Sequence, residues 1–227
     1  FRKSRSTLDL ALALDTIVKE HGRRGKPCYQ AFLDIKGAYD SVDRSLLWPK
    51  CEKMGWDGDL INLLKSLFDH IKVVVRVGGL ESREIDMVVG LVQGSSLSPI
   101  LFNVYINDLP KTLREKYSGL SIGGTKINSL LYADDIVLVT SSAQQLQKML
   151  RTCERHSRDH RYEFAPEKGE GVPPVYRGGT QIPAELYGQT LKEVDRYKYL
   201  GLPFGAKGLD TGRMCEVSIA KGIRAAS

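Results

Sequence analysis

The stretch that decides the fold is Tyr132-Ala133-Asp134-Asp135, which stands between two mostly apolar runs, Ile127–Leu131 and Ile136–Val139. Apolar and β-branched residues on both sides of a short polar break predict a β-hairpin. The pattern therefore places two adjacent carboxylates at the tip of a buried hairpin. Packing alone does not explain this pair, because a desolvated charge is costly unless it is paired or bound to a metal. A divalent cation is the simplest compensation, since hard cations prefer carboxylate oxygen.

A second acidic strand lies upstream, where Asp34 comes near the end of the apolar stretch Tyr29–Ile35. If this strand lies beside the hairpin, Asp34 joins Asp134 and Asp135 in one cluster. Carboxylates that hold two metal ions about 3.5–4 Å apart can stabilise the attacking and the leaving oxygen in nucleotidyl transfer. The alternative is that all three are ordinary turn residues, a position that Asp favours. The second strand and the order of the motifs favour the metal site.

The composition is that of a globular, basic protein. The 227 residues suit one large domain or two small ones, with 42% hydrophobic and 26% charged residues. The net charge of +6 favours an acidic partner such as nucleic acid. No apolar run approaches the roughly 20 residues that a membrane span needs, so no membrane partner is expected.

The termini and cysteines bear on processing and location. Phe1–Arg5 contains neither an initiator Met nor the apolar region of a signal peptide, which is typical of the interior of a longer reading frame or of a processed product. The four cysteines are scattered and form no C-x-x-C pair, so reduced thiols in a reducing intracellular compartment are expected. The pattern leaves open whether this compartment is the nucleus, the cytoplasm or an organelle.

The periodicity predicts alternating helices and strands. Ser6 and Asp9 resemble a capping box for the first helix, and Asp43 is the expected cap of the second. Helices are predicted over residues 6–20, 43–54, 60–70, 99 to about 108, and 143 to about 156. Strands are predicted over residues 28–36, 72–77, 85–89, 120–122 and 197–204, and loops with short strands over 163–188.

The turn after the first acidic strand has the composition of a phosphate cradle. In Asp34-Ile35-Lys36-Gly37-Ala38-Tyr39-Asp40, Gly37 and Ala38 are small, and successive backbone N–H groups there could bind a triphosphate. Tyr39 would then stand beside the incoming sugar, although a core aromatic fits the local sequence as well. Lys36 could contact phosphate or be solvated, and Asp40 is expected to be a helix-cap or turn residue.

A glycine-serine loop, Gly90–Ser96, precedes Pro99 and the helix that it opens. Such a loop presents free N–H groups at a helix N-terminus. Gln93 carries both donors and an acceptor and could position a nucleotide or a template. The alternative is a plain loop before a helix.

These motifs in this order resemble the palm of reverse transcriptases, most closely those of non-LTR retrotransposons. The stretches that carry the resemblance are Phe32–Asp40, Gln93–Asn103 and Tyr132–Asp135. Phe1–Thr7 resembles the segment that precedes the palm in that branch, and Tyr197–Gly201 resembles its primer grip. The match covers residues 1 to about 204. It implies an α/β fold with an antiparallel palm sheet, helices packed on one face, and partial fingers.

The resemblance implies a role for each matching residue. Asp34, Asp134 and Asp135 match the carboxylates that hold two Mg²⁺ ions, and Lys168 matches a lysine thought to protonate the leaving pyrophosphate. Substrate binding falls to Ile35, Lys36, Gly37, Ala38 and Tyr39, with Tyr39 as the sugar-discriminating aromatic, and to Gln93 and Gly94 beside the templating pair. The implied partners are an RNA template, a primer strand and a dNTP, with other subunits or missing segments of a longer chain.

The chain departs from the family pattern near Lys168, because Ala165 stands where these enzymes commonly have Asn. The expected division is a helix and basic link of the fingers over 1–27, the palm core over 28–160, a palm extension with the primer-grip strand over 161–204, and the start of a thumb or a linker over 205–227. Fingers and thumb are thus expected to be incomplete, and no endonuclease or RNase H segment is recognisable.

The resemblance implies an RNA-directed DNA polymerase. Two alternatives stay open: a non-catalytic, structural or RNA-binding subunit of a ribonucleoprotein, and an RNA-dependent RNA polymerase, which shares the palm. A separate pattern is the helical spacing of Cys153, His156 and His160. It fits a zinc site completed by a fourth ligand, or, more commonly, a free cysteine and surface histidines on an amphipathic helix.

Overall fold

The computed structural model describes residues 6–172 and 184–212. Its helices are α1 (Thr7–Arg23), α2 (Arg44–Lys53), α3 (Gly58–Asp69), α4 (Ser98–Ile106), α5 (Asp108–Lys116) and α6 (Ala143–Asp159). Its strands are β1 (Tyr29–Leu33), β2 (Lys72–Val73), β3 (Arg76–Val77), β4 (Leu80–Glu81), β5 (Ile85–Asp86), β6 (Leu120–Ile122), β7 (Thr125–Ile127), β8 (Ser129–Tyr132), β9 (Asp135–Thr140), β10 (Glu170–Val172), β11 (Glu185–Leu186), β12 (Gln189–Thr190), β13 (Lys192–Glu193), β14 (Arg196–Tyr199), β15 (Leu202–Gly205) and β16 (Gly208–Leu209).

A five-stranded sheet in the order β13-β10-β1-β9-β8 forms the centre of the molecule. All pairings in it are antiparallel except that of β10 with the short β13. β8 and β9 are the predicted hairpin around the Tyr-Ala-Asp-Asp sequence, and β1 pairs with β9 along its whole length. The mixed α/β architecture with an antiparallel palm-like sheet agrees with the prediction.

The alternation of side chains along β1 and β9 divides the core in two. Ala31 and Leu33 face one hydrophobic cluster together with α2 to α6. Phe32 and Val137 face a second cluster formed with α1, β14 and β15. The sheet is therefore covered on both faces, since α1 and the hairpin β14–β15 lie opposite the main helical layer. The resemblance had implied helices on one face alone.

The predicted caps and helix starts agree with the structure. The backbone N–H of Ser6 donates to Asp9 at 2.7 Å, and Asp43 accepts from the backbone N–H of Ser45 at 2.8 Å. Pro99 lies in the first turn of α4, where its missing N–H costs nothing. None of the helices among the described residues is long and apolar enough to cross a bilayer.

Two element predictions were wrong, and one helix was not predicted. Residues 197–204 form a hairpin, not one strand, because Leu200 and Gly201 have φ of 50° and 83°, the left-handed backbone that a tight two-residue turn needs. Residues 72–77 contain two short strands, β2 and β3, each paired with a different partner. The helix after Pro99 ends at Ile106, and α5 begins at Asp108 as a separate helix.

Some predictions fall on residues outside the described part of the chain. They concern Phe1–Arg5, Cys215, residues 173–183 of the predicted loop region, and residues 213–227 of the predicted thumb or linker. The other three cysteines are buried free thiols. The division into fingers, palm, palm extension and thumb stays a prediction.

Candidate active site

The register of the central sheet brings the three predicted carboxylates to one end of it. Leu33, the last residue of β1, pairs with Ile136 of β9, so the next position along each strand places Asp34 opposite Asp135. Asp134 precedes Asp135 in the two-residue turn between β8 and β9. Ala133 opens that turn with φ of 51°, a conformation that costs a residue with a Cβ free energy. The strained turn projects Asp134 and Asp135 at the end of the sheet.

At this end of the central sheet, the negative charge of the three carboxylates exceeds the positive charge nearby. Burial, then the charges of Asp134 and Asp34, raise the pKa of Asp135 to about 6. The ligand atoms on offer are carboxylate oxygens, which Mg²⁺ and other hard divalent cations prefer. A cation bound there would relieve the mutual repulsion, so the residues present fit a divalent metal.

Lys168 contributes positive charge to this cluster. Its Nζ lies 2.8 Å from Oδ2 of Asp34, and this hydrogen bond raises the pKa of the lysine. The turn that carries it is fixed by backbone bonds: Ala165 donates to the carbonyl of Asp34 at 2.9 Å, and Lys168 donates to the carbonyl of Ala165 at 3.0 Å. Ala165 in place of the usual Asn therefore still places Lys168 at the carboxylates. A metal ion on Asp34 would compete with Lys168 for the same oxygen.

The predicted phosphate cradle is shorter in the structure than in the sequence interpretation. The side chain of Ile35 is buried in the core, and the backbone N–H of Lys36 donates to Glu163 at 2.9 Å. The Ile35 side chain and the Lys36 backbone N–H are therefore not available to a ligand, although the sequence predicted substrate binding there. The reason is that Ile35 pairs with Phe164. Gly37, with φ of 49°, is exposed in this turn, whereas Ala38 is half-buried against the core. The Lys36 side chain is exposed and lies 3.7 Å from Glu163.

The turn and the glycine-serine loop are held together. The backbone N–H of Leu91 donates to the carbonyl of Tyr39 at 2.8 Å, and Gln93 donates from Nε2 to both carboxylate oxygens of Asp40 at 3.1 and 3.2 Å. Gly90 permits this approach, since its φ is 94° and a Cβ there would lie 3.0 Å from the backbone oxygen of Asp40. Asp40 is thus a partner of Gln93, as a turn residue, and Gly94 is exposed beside it.

Tyr39 lies between the two motifs. Its ring meets Phe102 of α4 edge to face at 5.6 Å, and burial and the charge of Asp134 raise the pKa of its hydroxyl. The side chain is half-buried, so it has the core contact of the alternative interpretation and also lies near the carboxylates. Tyr39 therefore packs on the core and is close enough to Asp134 to be affected by its charge, and its role in sugar discrimination stays a prediction.

Two further residues contribute to the site that sequence reasoning did not single out. Arg44 is buried and donates to the carbonyls of Gly90, at 3.1 Å, and Met87, which anchors the glycine-serine loop to α2. No local signal marks that arginine. Tyr197 stacks on Phe32 at 4.1 Å, and burial followed by the charges of Asp135 and Asp34 raises its pKa to about 12. The primer-grip resemblance of its stretch was the available signal.

With this geometry established, the similarity to known proteins decides the family. The model of the family "Reverse transcriptase (RNA-dependent DNA polymerase)" matches residues 1–206. The chain belongs to the reverse transcriptase family. Reverse transcriptases use divalent metal ions, which agrees with the carboxylate cluster at the end of β1 and β9.

The relatives of this reverse transcriptase domain are retrotransposon proteins. It is 27% identical over 212 residues to a retrovirus-related Pol polyprotein from the type-1 retrotransposable element R2 of Popillia japonica, which covers 89% of the chain and 35% of the relative. It is 29% identical to a probable RNA-directed DNA polymerase from transposon BS of Drosophila melanogaster, over 95% of the chain and 25% of the relative. The chain thus spans 25–35% of the length of these relatives.

Solved structures support the fold. Apo telomerase from Candida tropicalis, truncated from its C-terminal domain, matches with a TM-score of 0.63 at 18% identity, over 91% of this chain and 40% of that one. Telomerase from the same organism, in complex with a fragment of telomeric RNA, matches with a TM-score of 0.66 at 16% identity, over 91% and 33%. At this identity the likeness shows a shared fold.

Proposed function

We propose that this chain is the palm-containing part of an RNA-directed DNA polymerase, which transfers dNTPs to a primer 3′-hydroxyl. The observation that carries the proposal is the register of β1 and β9, which places Asp34 opposite Asp135 beside Asp134. Clustered carboxylates, of which Asp135 has a raised pKa, next to a lysine and a glycine-rich loop, are the expected components of metal-assisted phosphoryl chemistry.

Asp34, Asp134 and Asp135 would hold two Mg²⁺ ions. When bound, such ions supply the activation of a hydroxyl and the charge stabilisation of a departing pyrophosphate. Lys168 would donate a proton: its Nζ lies 2.8 Å from Oδ2 of Asp34, and its raised pKa keeps it protonated. A well-placed acid contributes roughly 10²–10⁴-fold to the rate.

Substrate selection would fall to the turn and loop beside the carboxylates. The backbone of Gly37 and Ala38 would contact the triphosphate, and the Tyr39 ring would exclude a 2′-hydroxyl by its bulk. Gln93, held by Asp40, and Gly94 would contact the templating pair. The similarity to RNA-directed DNA polymerases of transposons and the net charge of +6 support RNA template and primer as partners. Because the relatives are much longer, other segments or subunits would complete the clamps on the duplex.

The test is primer extension on an RNA template with Mg²⁺ and dNTPs, comparing the chain with Asp134→Asn. The proposal expects extension by the wild type and its loss in the variant, with both proteins folded by circular dichroism. Equal behaviour of the two folded proteins would contradict it and would favour the alternative, a non-catalytic palm subunit that binds RNA. Competition between dNTPs and NTPs in the same assay tests the RNA polymerase alternative. Preferred incorporation of dNTPs contradicts that alternative, and preferred incorporation of NTPs supports it.

A further inference from the structure

The outer face of α6 carries a line of cations that the proposed reaction does not use. Its members are all exposed and follow one another by three, four and three residues: Lys148, Arg151, Arg155 and Arg158. With 3.6 residues per turn, they lie within about 80° of the helix circumference, and at 1.5 Å per residue they extend over about 15 Å. We call these four residues the α6 basic stripe.

The positive charge of the stripe is largely uncompensated. Within residues 6–172 and 184–212, the one carboxylate that pairs with the stripe is that of Glu154, whose Oε2 lies 4.0 Å from Arg158. The other oxygen of Glu154 already accepts from the backbone N–H of Tyr187 at 2.6 Å. Lys148, Arg151 and Arg155 therefore keep their full charge toward solvent, and aligned charges of one sign attract an anionic partner.

The stripe points away from the carboxylates of the candidate active site. The buried face of α6, which includes Met149, packs in the same hydrophobic cluster as Ile35 and Ile136. Successive side chains of a strand point to opposite faces of the sheet, so Asp34 and Asp135 point to the other side. The central sheet thus separates the two surfaces, and a strand bound along the stripe is not the strand that lies at the carboxylates.

Each end of the stripe opens into a cavity with a tyrosine in its wall. Lys148 borders a cavity of about 560 Å³ together with Tyr117 and Lys116. Arg158 borders a cavity of about 500 Å³ together with Tyr187. Both tyrosines are half-buried. A cationic track with aromatic side chains beside it is the arrangement by which proteins bind a single nucleic-acid strand, whose unpaired bases can stack on the rings.

We propose that the α6 basic stripe binds the phosphate backbone of single-stranded RNA. Cations in one line follow one backbone, and the two cavities accept unpaired bases, which a duplex does not offer. The choice of RNA rests on the proposed function, in which the template is RNA, and the stripe holds a part of that RNA that is not being copied. An acidic protein would satisfy the charge alone and would leave the two cavities without a role.

The experiment measures binding of a labelled single-stranded RNA of about 20 nucleotides by fluorescence anisotropy at several salt concentrations. It compares the wild type with Lys148→Gln/Arg151→Gln/Arg155→Gln, since glutamine has nearly the helix propensity of lysine and arginine. The affinity of this variant is expected to fall at least about tenfold. The slope of log K against log salt is expected to fall by about 2, because each phosphate contact on a single strand contributes about 0.7.

Two variants serve as controls. Lys26→Gln/Lys53→Gln/Lys126→Gln removes the same charge from exposed positions outside the stripe, and its affinity is expected to stay within about twofold of the wild type. Arg151→Lys/Arg155→Lys keeps the charge of the stripe and is expected to keep the wild-type slope, because lysine also binds phosphate as a point charge.

The proposal is overturned if the wild type does not bind the RNA. It is equally overturned if the stripe variant, folded by circular dichroism, binds as tightly as the wild type or is weakened no more than the variant with scattered changes. Extension of a short primer-template is expected to stay within about threefold in the stripe variant. A wild type that binds RNA through the stripe but extends no primer would contradict the proposed function and leave this inference in place.

Discussion

Two charged clusters among the described residues balance the charge of their carboxylates in opposite ways. At the end of β1 and β9, burial and mutual repulsion raise the pKa of Asp135 to about 6, and Lys168 is a positively charged partner from the chain. At the junction of α5 and α6, burial would raise the pKa of Asp108, but bonds to His156, His160 and Lys50 outweigh it and hold that pKa well below its usual range.

The difference teaches what each cluster is suited to bind. The first offers oxygen ligands with surplus negative charge, which is the chemistry of Mg²⁺ sites. The second combines one carboxylate with two stacked imidazoles and a lysine that already offsets the charge, so its partners come from within the chain. Ligand type and local charge, more than the number of acidic residues, therefore distinguish the two regions.

The largest expected effect is the loss of polymerase activity on removing a carboxylate of the first cluster. Asp135→Asn should lower primer extension by at least about 10³-fold, because the metal positions depend on its charge. His160→Gln, in the second cluster, should leave extension within about threefold in chelator-free buffer containing Mg²⁺. Steady-state extension rates check both, and a large loss in His160→Gln would break the separation of the two regions.

Lys168 should produce the next largest effect. Lys168→Ala removes the proposed acid and should lower kcat by about 10²-fold, while Mg²⁺ binds more tightly because the competitor of Asp34 is gone. Lys36→Ala is the matched control, since Lys36 is exposed and near the same turn but bonds Glu163. The account fails here if the two variants lose activity equally.

Asp43 tests how a carboxylate behaves when its partners come from the chain. Hydrogen bonds from Ser45 outweigh burial and, with Arg161 at 2.7 Å, lower its pKa. Asp43→Ala should lower the free energy of unfolding by about 1–2 kcal/mol. Because the pKa of Asp43 is lower in the folded than in the unfolded protein, its ionised form stabilises the fold above the unfolded pKa of 3.8. This stabilisation is lost as the pH falls through the folded pKa. The free energies of unfolding of the wild type and Asp43→Ala, measured in urea, should therefore differ at pH 6 and converge at low pH.

Asp135 should show the smallest and opposite effect. Its folded pKa of about 6 lies above the unfolded 3.8, so wild-type stability falls as pH rises from about 4 to 6. Asp135→Asn removes that penalty and should stabilise the metal-free protein at pH 7 by about 1 kcal/mol, a value reduced because solvent reaches this half-buried group. Urea unfolding in chelator measures it, and a destabilised variant would contradict the repulsion described here.

The sequence predicted the elements whose signals are local. The apolar runs around Tyr132–Asp135 marked β8 and β9, and Asp43 and Pro99 marked the starts of α2 and α4. The turn at Leu200-Gly201 was missed because a lone Gly after an apolar run was taken as part of a strand. α5 was missed because Leu109 and Leu113 are its only buried residues, too few to give a clear period.

The residues of the candidate site also divide into those with a local sequence signal and those without one. Asp34, Asp134 and Asp135 were found because each lies at the end of an apolar run, and their order in the chain carries the family resemblance. The bond between Gln93 and Asp40, the anchoring by Arg44, and the meeting of Asp108 with His156 join residues 43 to 53 positions apart. Such contacts depend on how helices pack and leave no periodic signal in the sequence.

The most direct test of the central claim is anomalous diffraction from crystals grown with Mn²⁺, primer-template and a dNTP. The account predicts two anomalous peaks among Asp34, Asp134 and Asp135, with Lys168 released from Asp34 toward the phosphates. Crystals that contain the nucleotide but show no metal at these carboxylates would contradict it.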